Sequence, residues 1–267
     1  SDGSGKIRTD WKRAGDEPYM LATAVPEAVV IVDKNRVKAG SFAIRKFGVD
    51  TIILDDGFQY YPLKSRLQVV LVDQKNPFGN GSLLPRVILR EPKKALGRAN
   101  YIFVTKSDGK PPQKLLETLR EYAPHCKPIL CAHAPKKLVK IDDAAELPLT
   151  TLQGAKVVAF SGIATPETFE RQLTNLGAEI VKRHRFTDHY AYEPEDIEQV
   201  LKTSKDATMI VTTQKDAVRL PRMESEVPVC YLRMEIEILD GVANFNEAVQ
   251  KICFPKDGDG GHTRPMV

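Results

Sequence analysis

The sequence predicts an α/β protein with a mainly parallel sheet and a second, smaller α/β lobe. Three observations lead to that class. Short runs rich in Val and Ile alternate with stretches of helical periodicity, the pattern of strand–helix–strand crossovers. Hydrophobic residues make up 42% and charged residues 28% of the 267-residue chain, close to globular averages, which excludes wholesale disorder. No apolar run approaches the roughly 18 to 20 residues that a membrane helix needs. The nearest candidate, Leu21 to Val32, is interrupted by Pro26 and Glu27.

In order, strands are expected over residues 28–32, 51–54, 67–72, 101–105 and 127–131. Between the first two, residues 36–47 carry Val37, Phe42, Ile44 and Phe47 at loosely helical spacing. Residues 111–122 follow a Ser-Asp-Gly turn and begin with prolines, which a first helical turn tolerates. Over 134–151 the pattern weakens at Pro135, Asp142, Asp143 and Pro148. A second set then begins: strand 156–160, helix 166–176, strand 179–183, helix 194–203 and strand 208–212. Strands at 227–232 and 235–238 and a helix at 244–252 close it. A boundary near residue 145 thus separates a lobe of 1–145 from one of 146–254. The Gly-, Pro- and Asp-rich tail, 255–267, is expected to be disordered.

Lys and Arg number 39 against 35 Asp and Glu, leaving a net charge of +4. That excess permits phosphate-bearing partners but lacks the basic stripe of a nucleic-acid binder, so no nucleic-acid partner is expected. Cys126, Cys131, Cys230 and Cys253 form no CxxC pair and read as reduced thiols. The opening Ser1-Asp2-Gly3-Ser4-Gly5 has no initiating Met and no apolar leader, and reads as a chain whose beginning has been cut off.

Several segments carry candidate chemistry. Thr51-Ile52-Ile53-Leu54-Asp55-Asp56-Gly57-Phe58-Gln59 is an apolar run ending in acids, the layout of a Walker-B strand whose carboxylate holds Mg²⁺ beside nucleotide phosphates. It equally suits an Asp-Asp-Gly turn after an ordinary strand. Gly15-Asp16-Glu17-Pro18 suits a solvated turn or helix start, or supplies a carboxylate to take the proton of an attacking hydroxyl. Asp188-His189 sits in a loop where it would orient an acid or base, or simply face solvent. Arg86, Arg90, Lys93, Lys94 and Arg98 offer cations to phosphate or an anionic membrane surface, and equally form a solvated basic face. Thr212-Thr213-Gln214-Lys215-Asp216-Ala217 reads as an anion cradle or as a plain helix cap. The phosphate loop GxxxxGK[ST] does not occur; Gly5-Lys6 is followed by Ile7 where a Ser or Thr belongs.

Together these segments resemble the tetraacyldisaccharide 4'-kinase family of lipid A biosynthesis. The likeness runs through Gly15-Asp16-Glu17-Pro18, Leu54-Asp55-Asp56-Gly57-Phe58-Gln59, Gly79-Asn80-Gly81, Leu83-Leu84-Pro85 and Leu89-Arg90-Glu91-Pro92. It continues through Ser161-Gly162-Ile163 with Pro166 and Phe169, then Asp188-His189, then Thr212-Thr213 with Lys215-Asp216-Ala217. Order and spacing agree over about residues 14–254. The resemblance implies a P-loop-kinase-like fold and transfer of the γ-phosphate of ATP, with Mg²⁺, to the 4'-hydroxyl of an acylated glucosamine disaccharide 1-phosphate. It implies a peripheral place on the cytoplasmic face of the inner membrane of Gram-negative bacteria. By that likeness Asp16 is the catalytic base and His189 its support. Glu17, Asp55 and Asp56 surround the metal and phosphates, while Arg36, Gln59 and Arg90 contact phosphate or the lipid substrate.

Family members carry a membrane-associating helix and a strand–P-loop–helix unit ahead of the Gly-Asp-Glu-Pro segment, so this chain is expected to be an N-terminally truncated kinase. Val87-Ile88 stand where the family has Gly-Pro, and Tyr60 where His is common. With carboxylates in the first half and His189 in the second, the site is expected in a cleft between lobes. Two rival readings remain at this stage. One is a non-catalytic glycolipid- or partner-binding remnant without an ATP site; the other is a different Mg²⁺-dependent transferase of doubly wound fold.

Overall fold

An apolar run becomes a strand only where another run lies alongside to complete its hydrogen bonds, and this rule separates the expected strands that form from those that do not. The computed structural model describes residues 1–79, 89–221 and 223–253. The expected tail at 255–267 and the segment from Asn80 to Ile88, with its Leu83-Leu84-Pro85 motif, lie outside the described residues.

In chain order the elements are α1 (Trp11–Ala14), α2 (Asp16–Ala24), α3 (Arg36–Phe47), β1 (Val69–Asp73), β2 (Tyr101–Thr105) and α4 (Gln113–Tyr122). Next come β3 (Ile129–Lys140), β4 (Glu146–Leu147), β5 (Lys156–Ser161), α5 (Pro166–Asn175), β6 (Glu179–Arg185) and α6 (Pro194–Lys202). The last are β7 (Met209–Thr213), α7 (Gln214–Ala217), β8 (Val229–Asp240) and α8 (Val242–Cys253). They form two compact units, each discontinuous in sequence: Ser1–Lys34 with Ala134–Glu235, and Asn35–His133 with the chain from Ile236. A single linear division near residue 145 therefore differs from this arrangement, in which α1 and α2 belong with β5, β6 and β7.

In the first unit the parallel strands run in the order β8-β7-β5-β6. Alternate residues serve opposite faces, as a pleated strand requires. Val157, Ala159, Val211 and Leu232 pack with Phe169 and Leu173 of α5. Val158, Phe160 and Ile210 pack with Ile197 and Val200 of α6. Helices on both faces bury the strands twice over, which explains their continuous Val and Ile content. Pro194 occupies the first turn of α6, where Glu193 and Asp196 close a reciprocal capping box.

The second unit carries β1-β2-β3 in parallel, with β3 contributing its residues up to His133. Leu115 and Leu119 of α4 cover Val72, Ile102, Val104 and Leu130. Phe245 and Ala248 of α8 cover Tyr101 and Ile129 on the other face. Asn35 caps α3 by accepting the Lys38 N–H at 3.0 Å, and Gly48, at φ 65°, ends that helix in the left-handed conformation.

Two expected strands are absent. Residues 28–32 make one antiparallel bridge, Asp2 to Val29, and residues 51–54 join no ladder. Among the described residues no neighbouring strand runs beside 51–54, and Ile53 stays 84% exposed. Conversely, β3 continues through Pro135 to Lys140, and the two expected strands after 227 are the single strand β8.

Candidate functional site

Gly15 separates α1 from α2 with φ 90°, a conformation open to glycine and strained for other residues. Asp16 and Glu17 thereby become the first turn of α2, with Pro18 next, where a missing N–H costs no helical bond. The Asp16 carboxylate is held on both oxygens. Its Oδ1 accepts the Glu17 N–H at 3.0 Å, and its Oδ2 accepts Nδ1–H of His189 at 2.9 Å. Both residues lie in the first unit, so the expectation of a pair assembled across two lobes is not met.

His189 follows β6 in a loop and has φ 57°, an uncommon conformation for a residue with a side chain. Its N–H donates to the Gly162 carbonyl at 3.2 Å, just beyond the end of β5. On the far side of the ring, Nζ of Lys215 lies 3.2 Å from Nε2 and 3.1 Å from Oε1 of Glu17. An ammonium only donates, so Nε2 is the acceptor and the imidazole proton sits on Nδ1, facing Asp16. Partial burial raises the Asp16 pKa, but the hydrogen bond from His189 and the charge of Lys215 outweigh it. The carboxyl is held below its ordinary value and is ionised at neutral pH.

Behind this pair stands a buried ionic core. Asp216 and Arg219 are both enclosed and pair with each other. Asp216 Oδ1 also accepts Gly162 N–H at 3.0 Å and Tyr192 O–H at 2.8 Å, and Oδ2 accepts Thr213 O–H at 2.5 Å. Burial and the nearby Asp216 carboxylate raise the Tyr192 phenol pKa far above normal, keeping it a donor. Gly162 is required here: a Cβ would stand 3.0 Å from the Thr187 carbonyl and 3.0 Å from the Tyr192 hydroxyl. The whole group collects at the carboxyl ends of β5, β6 and β7, where parallel sheets present ligand sites.

The other expected site residues lie in the second unit. Asp55 and Asp56 are exposed, and Asp56, at φ 50°, pairs with Arg90 at 2.5 Å. Gln59 hydrogen-bonds Glu91, whose carboxylate takes two bonds from Arg98 at 2.7 and 2.9 Å. Arg36 opens α3; its N–H donates to the Tyr60 hydroxyl at 3.2 Å, and its guanidinium lies 5.6 Å from that ring's centroid. Thus Asp16 meets His189, Asp56 meets Arg90 and Gln59 meets Glu91.

Among the described residues no group of three His, Cys, Asp or Glu side chains stands close enough to cage a metal. Adjacent, exposed hard-oxygen donors at Asp55 and Asp56 nevertheless fit Mg²⁺, which keeps several waters and takes one or two carboxylates. Sequence reasoning missed Lys215, Arg219, Tyr192 and Gly162 as site residues. Thr212 to Ala217 stands out locally as a motif, but nothing in it marks Lys215 as the partner of an imidazole 26 residues earlier.

The sheet order, its flanking helices and the Asp–His–Lys cluster at the strand ends define an α/β protein of P-loop-kinase-like fold. Its residues 4–253 match the family described as LpxK, tetraacyldisaccharide-1-P 4'-kinase, and the chain belongs to that family. It is similar to the tetraacyldisaccharide 4'-kinase of Anaeromyxobacter sp. strain Fw109-5, at 39% identity over 85% of this chain and 62% of that one. It is likewise similar to those of Syntrophus aciditrophicus, at 37% over 89% of this chain and 67% of that one, and Halothermothrix orenii, at 34% over 94% and 70%. The crystal structure of LpxK from Aquifex aeolicus in complex with ATP superposes with a TM-score of 0.72 at 26% identity, covering 93% of this chain and 72% of that one. The chain therefore spans 62 to 70% of the length of these three curated relatives.

Proposed function

We propose that the protein transfers the γ-phosphoryl group of ATP to the 4'-hydroxyl of a tetraacyldisaccharide 1-phosphate. One observation carries the reading: an ionised Asp16 carboxylate, fixed on both oxygens, with His189 directing Nδ1–H at it. A sugar hydroxyl is protonated at neutral pH and is a poor nucleophile until a base accepts its proton as the new O–P bond forms. Asp16 takes that proton while the bond from the γ-phosphorus to its leaving oxygen breaks and ADP departs. His189 holds the carboxylate in line, and Lys215 holds His189 in the needed tautomer. Family membership and the ATP bound to the Aquifex aeolicus relative support the donor and the acceptor class.

Mg²⁺, held by Asp55 and Asp56, would neutralise charge on the transferred phosphates. Arg90 and Arg36 supply cations for phosphate or for the substrate's 1-phosphate. Among the described residues no helix is long and apolar enough to cross a membrane. The acylated substrate favours a peripheral position at the cytoplasmic face of the inner membrane, with exposed Lys94 available to anionic headgroups.

The test is phosphoryl transfer from labelled ATP to the disaccharide 1-phosphate by the full-length protein. Asp16→Ala should lower kcat by about 100- to 10,000-fold while leaving Mg-ATP affinity nearly unchanged. Equal losses of both would reject Asp16 as the base, and binding of the glycolipid without transfer by the wild type would reject the kinase reading.

A further inference from the structure

We propose that Arg219, anchored by Asp216 inside the first unit, is a positioning residue that fixes the Asp16 carboxylate for proton transfer. The inference rests on the kinase reading and assigns a role to a residue absent from every motif in the sequence.

The Arg219 side chain has no exposure. One nitrogen, Nη2, is committed: it donates to Asp216 and, at 3.0 Å, to the Gly162 carbonyl. The other two, Nη1 and Nε, are buried without a hydrogen-bond partner. Nη1 points at the active carboxylate, 3.7 Å from Oδ2 of Asp16, the same oxygen that His189 bonds. A purely structural Arg219 would need only its bond to Asp216. Two further donors left buried and unpaired carry a desolvation cost that nothing offsets, so such groups call for a reason.

The surroundings supply it. Asp216 is saturated by Gly162, Tyr192, Thr213 and Arg219, so it cannot swing toward any other group. It fixes the guanidinium rigidly, and the planar fork then carries Nη1 toward Oδ2 of Asp16, the oxygen that the Glu17 N–H does not bond. The Gly162 carbonyl ties the two halves together, accepting both the His189 N–H and Arg219 Nη2. His189 and the guanidinium, the two groups that face Asp16 Oδ2, are thereby referred to one backbone atom. A carboxylate so restrained loses little freedom on reaching the reactive geometry, and displacement of about 1 Å in such a group can cost on the order of 100-fold in rate.

The experiment uses the full-length protein and two readouts. Arg219→Lys retains a cation against Asp216 but lacks the second limb aimed at Asp16. It should melt within a few degrees of wild type, yet lose about 10- to 100-fold in kcat with KM for ATP and disaccharide nearly unchanged. Arg219→Met should lose at least as much, and neither substitution should lower activity further once Asp16 is Ala. Losses that persist in the Asp16→Ala background, or an Arg219→Lys variant with wild-type kcat, overturn the proposal. The second readout does not depend on turnover: the His189 Nδ1–H resonance in the ¹⁵N-histidine-labelled protein. In Arg219→Lys its exchange with water should quicken as Asp16 loosens. An unchanged resonance overturns the positioning role even if wild-type protein shows no kinase activity, a result that by itself would reject only the reading of function.

Discussion

The imidazole of His189 donates Nδ1–H to Asp16 across 2.9 Å, although 173 residues separate the two in sequence. Asp16 comes from the first turn of α2 and His189 from the loop after β6, where its N–H donates to the Gly162 carbonyl just beyond β5. The relation specifies direction as well as proximity. Lys215 occupies the other ring nitrogen, so the proton is placed toward the carboxylate.

With Asp16 as the proposed base, that geometry gives His189 the part of its support. In the full-length protein, His189→Ala should lower kcat less than Asp16→Ala does, because the carboxylate remains and only its orientation and charge balance suffer. Steady-state kinetics of the two variants side by side provide the measurement. A silent His189→Ala would remove the pair from the mechanism.

Gly162 should tolerate no side chain. In Gly162→Ala the new methyl meets the Thr187 carbonyl and Tyr192 hydroxyl, each at 3.0 Å, and neither is the free end of a flexible chain. Overpacking of this kind costs about 1–3 kcal/mol. Denaturant unfolding should show that loss, with kcat falling in parallel as the 187–192 loop shifts. Wild-type stability in this variant would contradict the close approach.

Acid should destabilise the first unit through Glu170. Arg185 bonds this nearly buried carboxylate at 2.7 and 2.8 Å and, with Arg183, holds its pKa below the ordinary 4.5 despite partial burial. A carboxyl with a lowered folded pKa contributes stability that is complete above its unfolded value and fades as pH falls through the folded one. Melting temperatures from pH 7 to pH 3 should therefore drop, with most of this contribution lost below about pH 4.5. In Glu170→Gln the drop should be shallower and stability at pH 7 lower by about 1–3 kcal/mol. An identical acid profile in the variant would exclude Glu170.

Arg90 and Asp56 pair at 2.5 Å with more than half of each side chain exposed, so the bond is screened by water. Arg90→Ala should leave the melting temperature unchanged. If Arg90 instead meets phosphate or substrate, KM should rise several-fold, the signature of lost binding. Unaltered kinetics would confine Arg90 to the surface.

Much of the architecture was legible in the chain because parallel strands buried on both faces must be apolar throughout. Residues 101–105, 156–160 and 208–212 show this plainly, and helix 36–47 carried its own cap and stop in Asn35 and Gly48. The run at 51–54 has the same composition and is not a strand, since no apolar segment can report whether a neighbour exists to receive its hydrogen bonds. The long β3 was hidden by Pro135, and the discontinuous units by the absence of any linker signal at residues 34 or 133.

The site divides in the same way. Asp16, Glu17, Asp55, Asp56 and His189 stood out because acids beside Gly, or beside an imidazole, are short-range patterns that survive in one dimension. The sequence by itself thus determined the α/β class, the candidate acids and the likeness to a kinase family. Tertiary structure alone decided that Asp16 meets His189 within one unit, that Lys215 orients the imidazole, and that Arg219 is buried behind them. The reason is physical. A hydrogen bond depends on a few tenths of an ångström and on the direction of a donor. The strands and turns that set both, β5 through β7, gather residues that chain order keeps far apart.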